Sequence, residues 1–197
     1  LSENNGLSVK VVFPIARSYE ESKQQQQDIN FRESSVTDSL HCPPVYTSIL
    51  QSASVVGGSS VIFVNRSAIT HDLFECAYDY TSEELYGRFI IDTKKCRMQK
   101  VKRFKALAKI EVAATFLDAC APNYAHWITE VLPKIAVFCS IPDYNDIPII
   151  INEGLHENIR ESLRVVVGDE RQVIELPLSA TVEVGRLIVT SVVGYVP

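Results

Sequence analysis

The stretch KIEVAATFLDACAPNYAHWITEVLPKIAVFC, residues 109–139, contains the two patterns that decide the fold. Its first nine residues, KIEVAATFL (109–117), are mostly apolar and predict a strand. A helix is predicted from Asn123 to about Cys139, because the side-chain oxygen of Asn123 can accept a hydrogen bond from an N–H group in the first turn. Apolar residues then recur near helical spacing and predict a core-facing stripe: Tyr124, Ile128, Val131 and Ile135.

The sequence after this stretch continues the alternation of strands and helices. IPIIIN (147–152) is continuously apolar, as in a strand that is buried on both faces. HENIRESLRVVV (156–167) is predicted to be helical in its first two turns, and QVIEL (172–176) and RLIVTSVV (186–193) are predicted strands. This order is typical of a parallel sheet with crossover helices. Residues 106–197 are therefore predicted to form a Rossmann-like α/β domain, although the G-x-G-x-x-G dinucleotide motif is absent.

The sequence before residue 106 predicts two further regions. Residues 1–44 contain a short strand, VKVVFPI (9–15), followed by a polar connection with four consecutive glutamines. Residues 45–105 are predicted to be a β-rich lead-in. Within it, β-branched runs flank GGSS (57–60), which we interpret as a hairpin turn. A phosphate-binding loop would instead lead into a helix N-terminus.

The composition is that of a globular protein, with 46% hydrophobic and 22% charged residues. No run of about 18 apolar residues predicts a transmembrane helix, and the first ten residues lack the pattern of a signal peptide. The absence of an initiator Met predicts a processed or cut chain. The cysteines contain no C-x-x-C pair, which argues against a zinc site and favours free thiols: Cys42, Cys76, Cys96, Cys120 and Cys139.

A basic segment stands out in this acidic chain, whose net charge is −5. In KKCRMQKVKRFK (94–105), seven of twelve residues are Lys or Arg. Lys100, Lys102 and Arg103 are candidates for binding an anionic ligand or a membrane surface. The alternative is a hairpin edge whose charges prevent strand pairing. Nucleic acid is not a predicted partner, because the chain is acidic overall and no base-stacking motif accompanies the segment.

Polar and aromatic residues are concentrated where the first strand of this region leads into the helix. In open α/β sheets, ligands bind at the carboxyl ends of the strands. The candidate residues at this edge are Asp118, Asn123, Tyr124, His126 and Trp127. Because His126 and Glu130 are four residues apart, they share one face of the helix. Pro133 predicts a kink in the helix one turn after Glu130. The alternative interpretation is a surface His126–Glu130 pair beside a tryptophan that belongs to the core.

The pattern N-Y-x-H-W-x-x-E-x-L-P-K, residues 123–134, closely resembles the motif of glycosyltransferase family 61. The order of elements after it is also similar: PIIIN, a helix with an R-E-x-L element (160–163), QVIEL and RLIVTS. The resemblance covers roughly residues 53–195. It implies the acceptor-side half of a GT-B-like enzyme, in which a second α/β half after residue 197 would hold most of the sugar-nucleotide contacts.

The resemblance implies an inverting glycosyltransferase that moves a sugar from a nucleotide-sugar co-substrate to a glycan or another hydroxyl acceptor. His126 and Glu130 would be catalytic, and either could take the acceptor proton. Asp118, Asn123, Tyr124 and Trp127 would bind substrate. The chain itself would hold no cofactor, and no metal site is assigned. In bacteria we expect a cytoplasmic enzyme with peripheral membrane contact, and in eukaryotes one in the lumen of the Golgi or endoplasmic reticulum.

Two other functions are compatible with the same residues. The first is a non-catalytic carbohydrate-binding or assembly module that needs a partner chain for transfer. The second is a hydrolase that uses His126 with another nucleophile, which the absence of a G-x-S-x-G motif disfavours.

Overall fold

The computed structural model describes residues 8–13, 44–65, 67–69, 89–92, 97–100 and 104–193 of the chain. Its strands are β1 (Ser8–Phe13), β2 (Val45–Val56), β3 (Ile62–Val64), β4 (Ser67–Ile69), β5 (Phe89–Asp92), β6 (Arg97–Lys100), β7 (Lys105–Ala106), β8 (Ile110–Thr115), β9 (Ile149–Asn152), β10 (Val173–Leu176) and β11 (Ala180–Thr190). Its helical segments are α1 (Tyr124–His126), a π-helical turn (Trp127–Val131), α2 (Leu132–Cys139), a 3-10 turn (Pro142–Tyr144) and α3 (Glu157–Val167). Because α1, the π turn and α2 are continuous, we call residues 124–139 the motif helix.

Nine strands in the described ranges form one mixed sheet with the order β10-β9-β8-β11-β2-β3-β4, in which β1 also pairs with β2 and β7 with β11. Strands β10, β9, β8 and β11 are parallel to one another. From β11 onward the pairing is antiparallel. The predicted combination of an α/β sheet with parallel strands and a preceding β-rich segment is confirmed. The sheet is mixed rather than mostly parallel, because β2 of the β-rich segment pairs along most of β11.

Strand β9 shows why the isoleucine run is buried on both faces. Successive side chains of a strand point to opposite faces of the sheet. Ile149 and Ile151 accordingly pack in one apolar cluster, and Ile150 packs in the other. All four residues of β9 are buried. The prediction for this strand is therefore confirmed.

The two faces of the sheet are covered in different ways. On one face, the motif helix and α3 pack against the strands with Trp127, Val131, Phe138, Ile159 and Leu163. On the other face, the cluster consists of strand residues together with Leu117, which follows β8. Leu176 at the end of β10 and Ala180 at the start of β11 belong to this second cluster. The second core is therefore built almost entirely from the strands themselves.

Two glycines permit close approaches between backbone segments of the sheet. A Cβ atom at Gly57 would overlap the carbonyl group of Pro177, and one at Gly185 would lie 2.8 Å from the carbonyl oxygen of Glu111. Only glycine fits such positions without displacing the neighbouring backbone. Gly57 begins the GGSS turn between β2 and β3, so the predicted hairpin is confirmed. The turn packs on the short link from β10 to β11, where the Gly57 N–H donates to the carbonyl oxygen of Ala180 at 3.0 Å.

Two elements are longer than the sequence predicts. Helix α3 continues for three turns to Val167 and ends at Gly168, whose φ of 74° favours glycine. Strand β11 begins six residues before the predicted start at residue 186, because its first residues pair with β7 and β2.

The motif helix has the predicted extent, but its core face differs from the predicted stripe. Val131 and Ile135 are buried as expected, whereas Tyr124 and Ile128 are exposed. Trp127 takes the buried position in the first part of the helix instead. The reason is the π turn, in which the Leu132 N–H donates to the carbonyl oxygen of Trp127. This turn contains one more residue than an α-helical turn, and it changes the phase of the apolar stripe.

Several predictions fall partly or wholly outside the described residues. The polar connection from residue 17 to residue 40 lies outside them, as do Lys102 and Arg103. Lys100 is described only as a backbone position in β6, which pairs with β5. Within the described ranges, Cys120 and Cys139 form no disulfide bond and are partly buried, whereas Cys42, Cys76 and Cys96 lie outside those ranges. Within those ranges, no helix is long and apolar enough to cross a membrane.

Candidate functional site

The candidate site lies where β8 and β9 end. Asn152, the last residue of β9, connects the two strand ends through its buried side chain. Its Oδ1 accepts the N–H of Asp118 at 3.2 Å, and its Nδ2 donates to the carbonyl oxygen of Asp118 at 2.6 Å. The segment that enters the motif helix is thereby fixed to the neighbouring strand. Sequence reasoning missed this residue, although a polar side chain at the end of an isoleucine run is a recognisable signal.

Asp118 has a supporting position in the structure. Its Oδ1 accepts the N–H of Cys120 at 2.7 Å. Its Oδ2 lies 3.9 Å from the Nζ of Lys134, and the side chains of Lys134 and Asp118 are only 6% and 9% exposed. The carboxylate therefore pairs with a buried lysine of the motif helix. It does not lie among the exposed side chains at the helix start, where the sequence predicted it.

Sequence reasoning also missed Lys134, which belonged to the motif without an assigned role. The residue lies between Val131 and Ile135 on the buried face of the helix. A lysine at such a position signals a buried partner, because an unpaired charge is strongly disfavoured in a protein interior.

The helix start is capped as predicted. The Oδ1 of Asn123 accepts the N–H of Ala125 at 2.9 Å, and the Trp127 N–H donates to the Asn123 carbonyl oxygen at 2.9 Å. Asn123 has an extended backbone conformation, which is usual for an N-cap residue. Tyr124, the next residue, is 55% exposed. Its ring is therefore accessible to a ligand at this edge of the sheet.

Trp127 is fully buried, so it cannot present its ring to a sugar as the sequence predicted. Its Nε1 donates to the Oγ of Ser162 on α3 at 2.8 Å, and the Ser162 hydroxyl donates to the carbonyl oxygen of Ile159 at 2.7 Å. Buried tryptophans usually satisfy their N–H group in this way. Trp127 thus joins the motif helix to α3 and belongs to the core.

His126 and Glu130 are adjacent, as their spacing predicts. The Nδ1 of His126 lies 3.1 Å from the Oε2 of Glu130, and the two side chains are 27% and 15% exposed. A carboxylate only accepts hydrogen bonds, so in the neutral imidazole tautomer that bonds to Glu130 the proton lies on Nδ1. The Nε2 then carries a lone pair and can accept a proton. A histidine held in one tautomer by a carboxylate is a common general-base arrangement.

The structure thus divides the six predicted side chains of the motif region into two groups. His126, Glu130, Asn123 and Tyr124 are exposed or half-buried along the start of the motif helix, whereas Asp118 and Trp127 are buried and support it. Across the described ranges, no three His, Cys, Asp or Glu side chains are close enough to one another to hold a metal ion.

No protein-family model, curated protein or solved structure matches this chain. The functional assignment therefore depends on the residues of the site, on their geometry and on the resemblance of the motif.

Proposed function

We propose that this chain is the acceptor-side half of an inverting glycosyltransferase, which transfers a sugar from a nucleotide-sugar donor to a glycan or another hydroxyl acceptor. The observation that carries the proposal is the 3.1 Å contact between His126 Nδ1 and Glu130 Oε2, with the imidazole partly exposed. The resemblance of residues 123–134 to the motif of glycosyltransferase family 61 gives this pair its proposed reaction.

We further propose that the domain is a Rossmann-like half of a GT-B enzyme. The parallel order β10-β9-β8-β11 is compatible with the 3-2-1-4 order of doubly wound folds. Both crossover helices pack on the same face of these strands. One departure is the link from β10 to β11, which consists of residues 177–179 where a doubly wound fold has a crossover helix.

In the proposed reaction, the acceptor hydroxyl oxygen attacks the anomeric carbon of the donor sugar. The bond from that carbon to the diphosphate oxygen breaks, and its electron pair leaves with the nucleoside diphosphate. The hydroxyl proton moves to the Nε2 of His126. Glu130 then stabilises the imidazolium ion through Nδ1, as the carboxylate does in other His–carboxylate pairs. A single displacement inverts the anomeric configuration.

The remaining residues would have separate tasks in this reaction. Asn123 fixes the start of the helix on which His126 lies, and Tyr124 offers an exposed ring to the acceptor. A downstream half, in the same chain or in a partner, would bind the donor and stabilise the leaving diphosphate. The proposal therefore assigns proton transfer and acceptor binding to this chain.

Turnover by the protein encoded by the complete gene tests the proposal. His126→Ala should lower the rate of nucleoside diphosphate release by about 10²–10⁴-fold, the usual contribution of a general base. Glu130→Gln should lower it less, because the imidazole remains. His156→Ala is the matched control, since His156 is exposed and caps α3 through the Asn158 N–H. Equal losses for the His126 and His156 variants, or no loss for either, would contradict the proposal.

A non-catalytic carbohydrate-binding module is the second candidate. The observation that favours it is that Tyr124 and Ile128, which are four residues apart on the motif helix, are both exposed. In that case glycan binding would require Tyr124, and His126→Ala would leave glycan binding unchanged. Neither the original protein nor the variant would release nucleoside diphosphate. Measuring glycan binding and nucleoside diphosphate release on the same variants separates the two functions.

A further inference from the structure

A cleft lies at the amino ends of the parallel strands, whereas His126 lies beyond their carboxyl ends. Its volume is about 260 Å³, and its lining includes Ser52, Ser54, Phe63, Asn65, Lys109 and Glu183. Lys109 immediately precedes β8, whereas the motif helix follows the end of that strand. We call this feature the amino-edge cleft.

The sheet register explains why these side chains are together. Ser54 on β2 pairs with Phe63 on β3 and with Glu183 on β11. Directly opposed residues of antiparallel strands have their side chains on the same face of the sheet. The three side chains therefore form a row across three strands. Lys109 and Asn65 also line the cleft and add two polar side chains.

The polar side chains of the cleft are not used by the fold. Among the described contacts, those of Ser52, Ser54, Asn65, Lys109 and Glu183 make no hydrogen bond or ion pair with another protein group. By contrast, the buried side chains of Asn152 and Asp118 are hydrogen-bonded to the backbone. The amino-edge cleft therefore presents five polar groups that remain free for a ligand.

The backbone at Ser52 is unusual in a way that also points to this cleft. Its φ is 51°, in the left-handed region that residues other than glycine rarely adopt within a strand. The neighbouring positions keep their ladder pairs, Gln51 with Arg186 and Ala53 with Val184. The left-handed φ therefore falls at a residue whose side chain lines the cleft. Local strain of this kind occurs preferentially at binding sites.

We propose that the amino-edge cleft binds one neutral monosaccharide residue. Lys109 only donates hydrogen bonds, Glu183 only accepts them, and serine and asparagine do both. Adjacent sugar hydroxyls match all of these groups, because each hydroxyl can donate and accept. Glu183 would repel a simple anion, Lys109 would repel a simple cation, and an apolar ligand would leave polar groups unpaired.

The size and the wall of the cleft fit the same ligand. Its 260 Å³ is below the range of about 300–1,000 Å³ that is usual for drug-sized ligands, so a single ring fits better than a nucleotide sugar. The half-buried Phe63 supplies an aromatic wall for the C–H face of a sugar ring. The cleft would bind a glycan at the edge of the sheet opposite to His126. Sugar binding in the cleft does not depend on transferase activity.

An NMR titration of the 197-residue chain with D-glucose, D-xylose and N-acetyl-D-glucosamine tests the proposal, with glycine and inorganic phosphate as comparison ligands. At least one sugar should shift the amide signals of residues 52–54 and 183–185, with a dissociation constant on the order of 1 mM because the site is shallow. Shifts confined to residues 123–130, or the absence of shifts at millimolar sugar concentrations, would overturn it. Binding of glycine or phosphate in place of the sugars would also overturn it.

Two variants assign the binding to the cleft. Glu183→Ala and Lys109→Ala should each weaken sugar binding by about tenfold, which corresponds to about 1.4 kcal/mol. Both side chains are exposed, so thermal unfolding should be nearly unchanged. Glu170→Ala removes an exposed carboxylate outside the cleft and is the matched control. An equal loss of sugar affinity in Glu170→Ala would overturn the proposal. The presence or absence of transferase activity in His126→Ala would not change the measured sugar affinity of the cleft.

Discussion

Replacing Lys134 with methionine tests whether the buried ion pair of the motif helix supports the site. Lys134 Nζ lies 3.9 Å from Asp118 Oδ2, and both side chains are less than a tenth exposed. Removing one partner of a buried pair typically lowers the free energy of unfolding by about 3–5 kcal/mol, because the other charge stays buried without its ionic partner. That loss is a large part of the roughly 5–15 kcal/mol that stabilises a typical domain. Asp118 would keep the hydrogen bond from the Cys120 N–H but would lose its cationic partner, so we expect Lys134→Met to be clearly destabilised.

Urea unfolding with a double-mutant cycle provides the measurement. Asp118→Asn combined with Lys134→Met leaves neither charge, so the double variant should recover at least about 2 kcal/mol relative to Lys134→Met alone. The m-value should stay constant if the fold is retained.

The exposed pair of Arg164 and Glu157 is the matched control for this cycle. Its atoms are closer, at 3.1 Å, but its side chains are 57% and 58% exposed. Arg164→Met should therefore lower the free energy of unfolding by only about 0–1 kcal/mol. Similar losses for Arg164→Met and Lys134→Met, or strict additivity in the cycle, would refute the reasoning that burial determines the effect.

Three further substitutions or reactions test the packing around the motif helix. Ser162→Ala should lower the free energy of unfolding by about 1–3 kcal/mol in urea titrations, because the Trp127 Nε1–H remains buried without its acceptor; a loss within error would contradict this. Pro133→Ala should leave the emission maximum of Trp127, the only tryptophan, at the short wavelength of a buried indole, because the packing of Trp127 determines the π turn. A shift of the emission to longer wavelength would show instead that the proline holds the π turn. Burial raises the pKa of the Cys139 thiol, with Arg171 acting in the opposite direction. Cys139 should therefore be alkylated more slowly than a free cysteine at neutral pH and accelerate only at higher pH, and alkylation as fast as that of free cysteine would contradict this.

The parts of the fold that depend on local patterns could be predicted from the sequence. Strands β8 and β9 and the extent of the motif helix follow from apolar runs, spacing and the cap at Asn123. The place of β2 could not be predicted in this way. It pairs with β11 across more than a hundred residues of sequence, and no local signal selects that partner. The sheet therefore becomes mixed through a long-range pairing.

The site was predictable only where spacing alone determines geometry. The contact between His126 and Glu130 follows from their separation of four residues, which brings two side chains to one helix face. The positions of Asp118 and Trp127 in the sequence predict contact with a ligand, whereas both side chains are buried. Their burial depends on Lys134 and Ser162, partners that no periodicity identifies.

The π turn explains why the motif combines a buried tryptophan with an exposed histidine–glutamate pair. Burying a tryptophan removes about 150–250 Å² of surface from water, which at about 25 cal/mol per Å² stabilises the fold by roughly 4–6 kcal/mol. One backbone hydrogen bond contributes only about 0.5–1.5 kcal/mol net. The insertion of Trp127 under α3 therefore outweighs a change of hydrogen-bond register, and Pro133 reduces that cost further because it has no N–H to lose. The core thus determines the register of the helix, and this register exposes Tyr124 while keeping His126 beside Glu130.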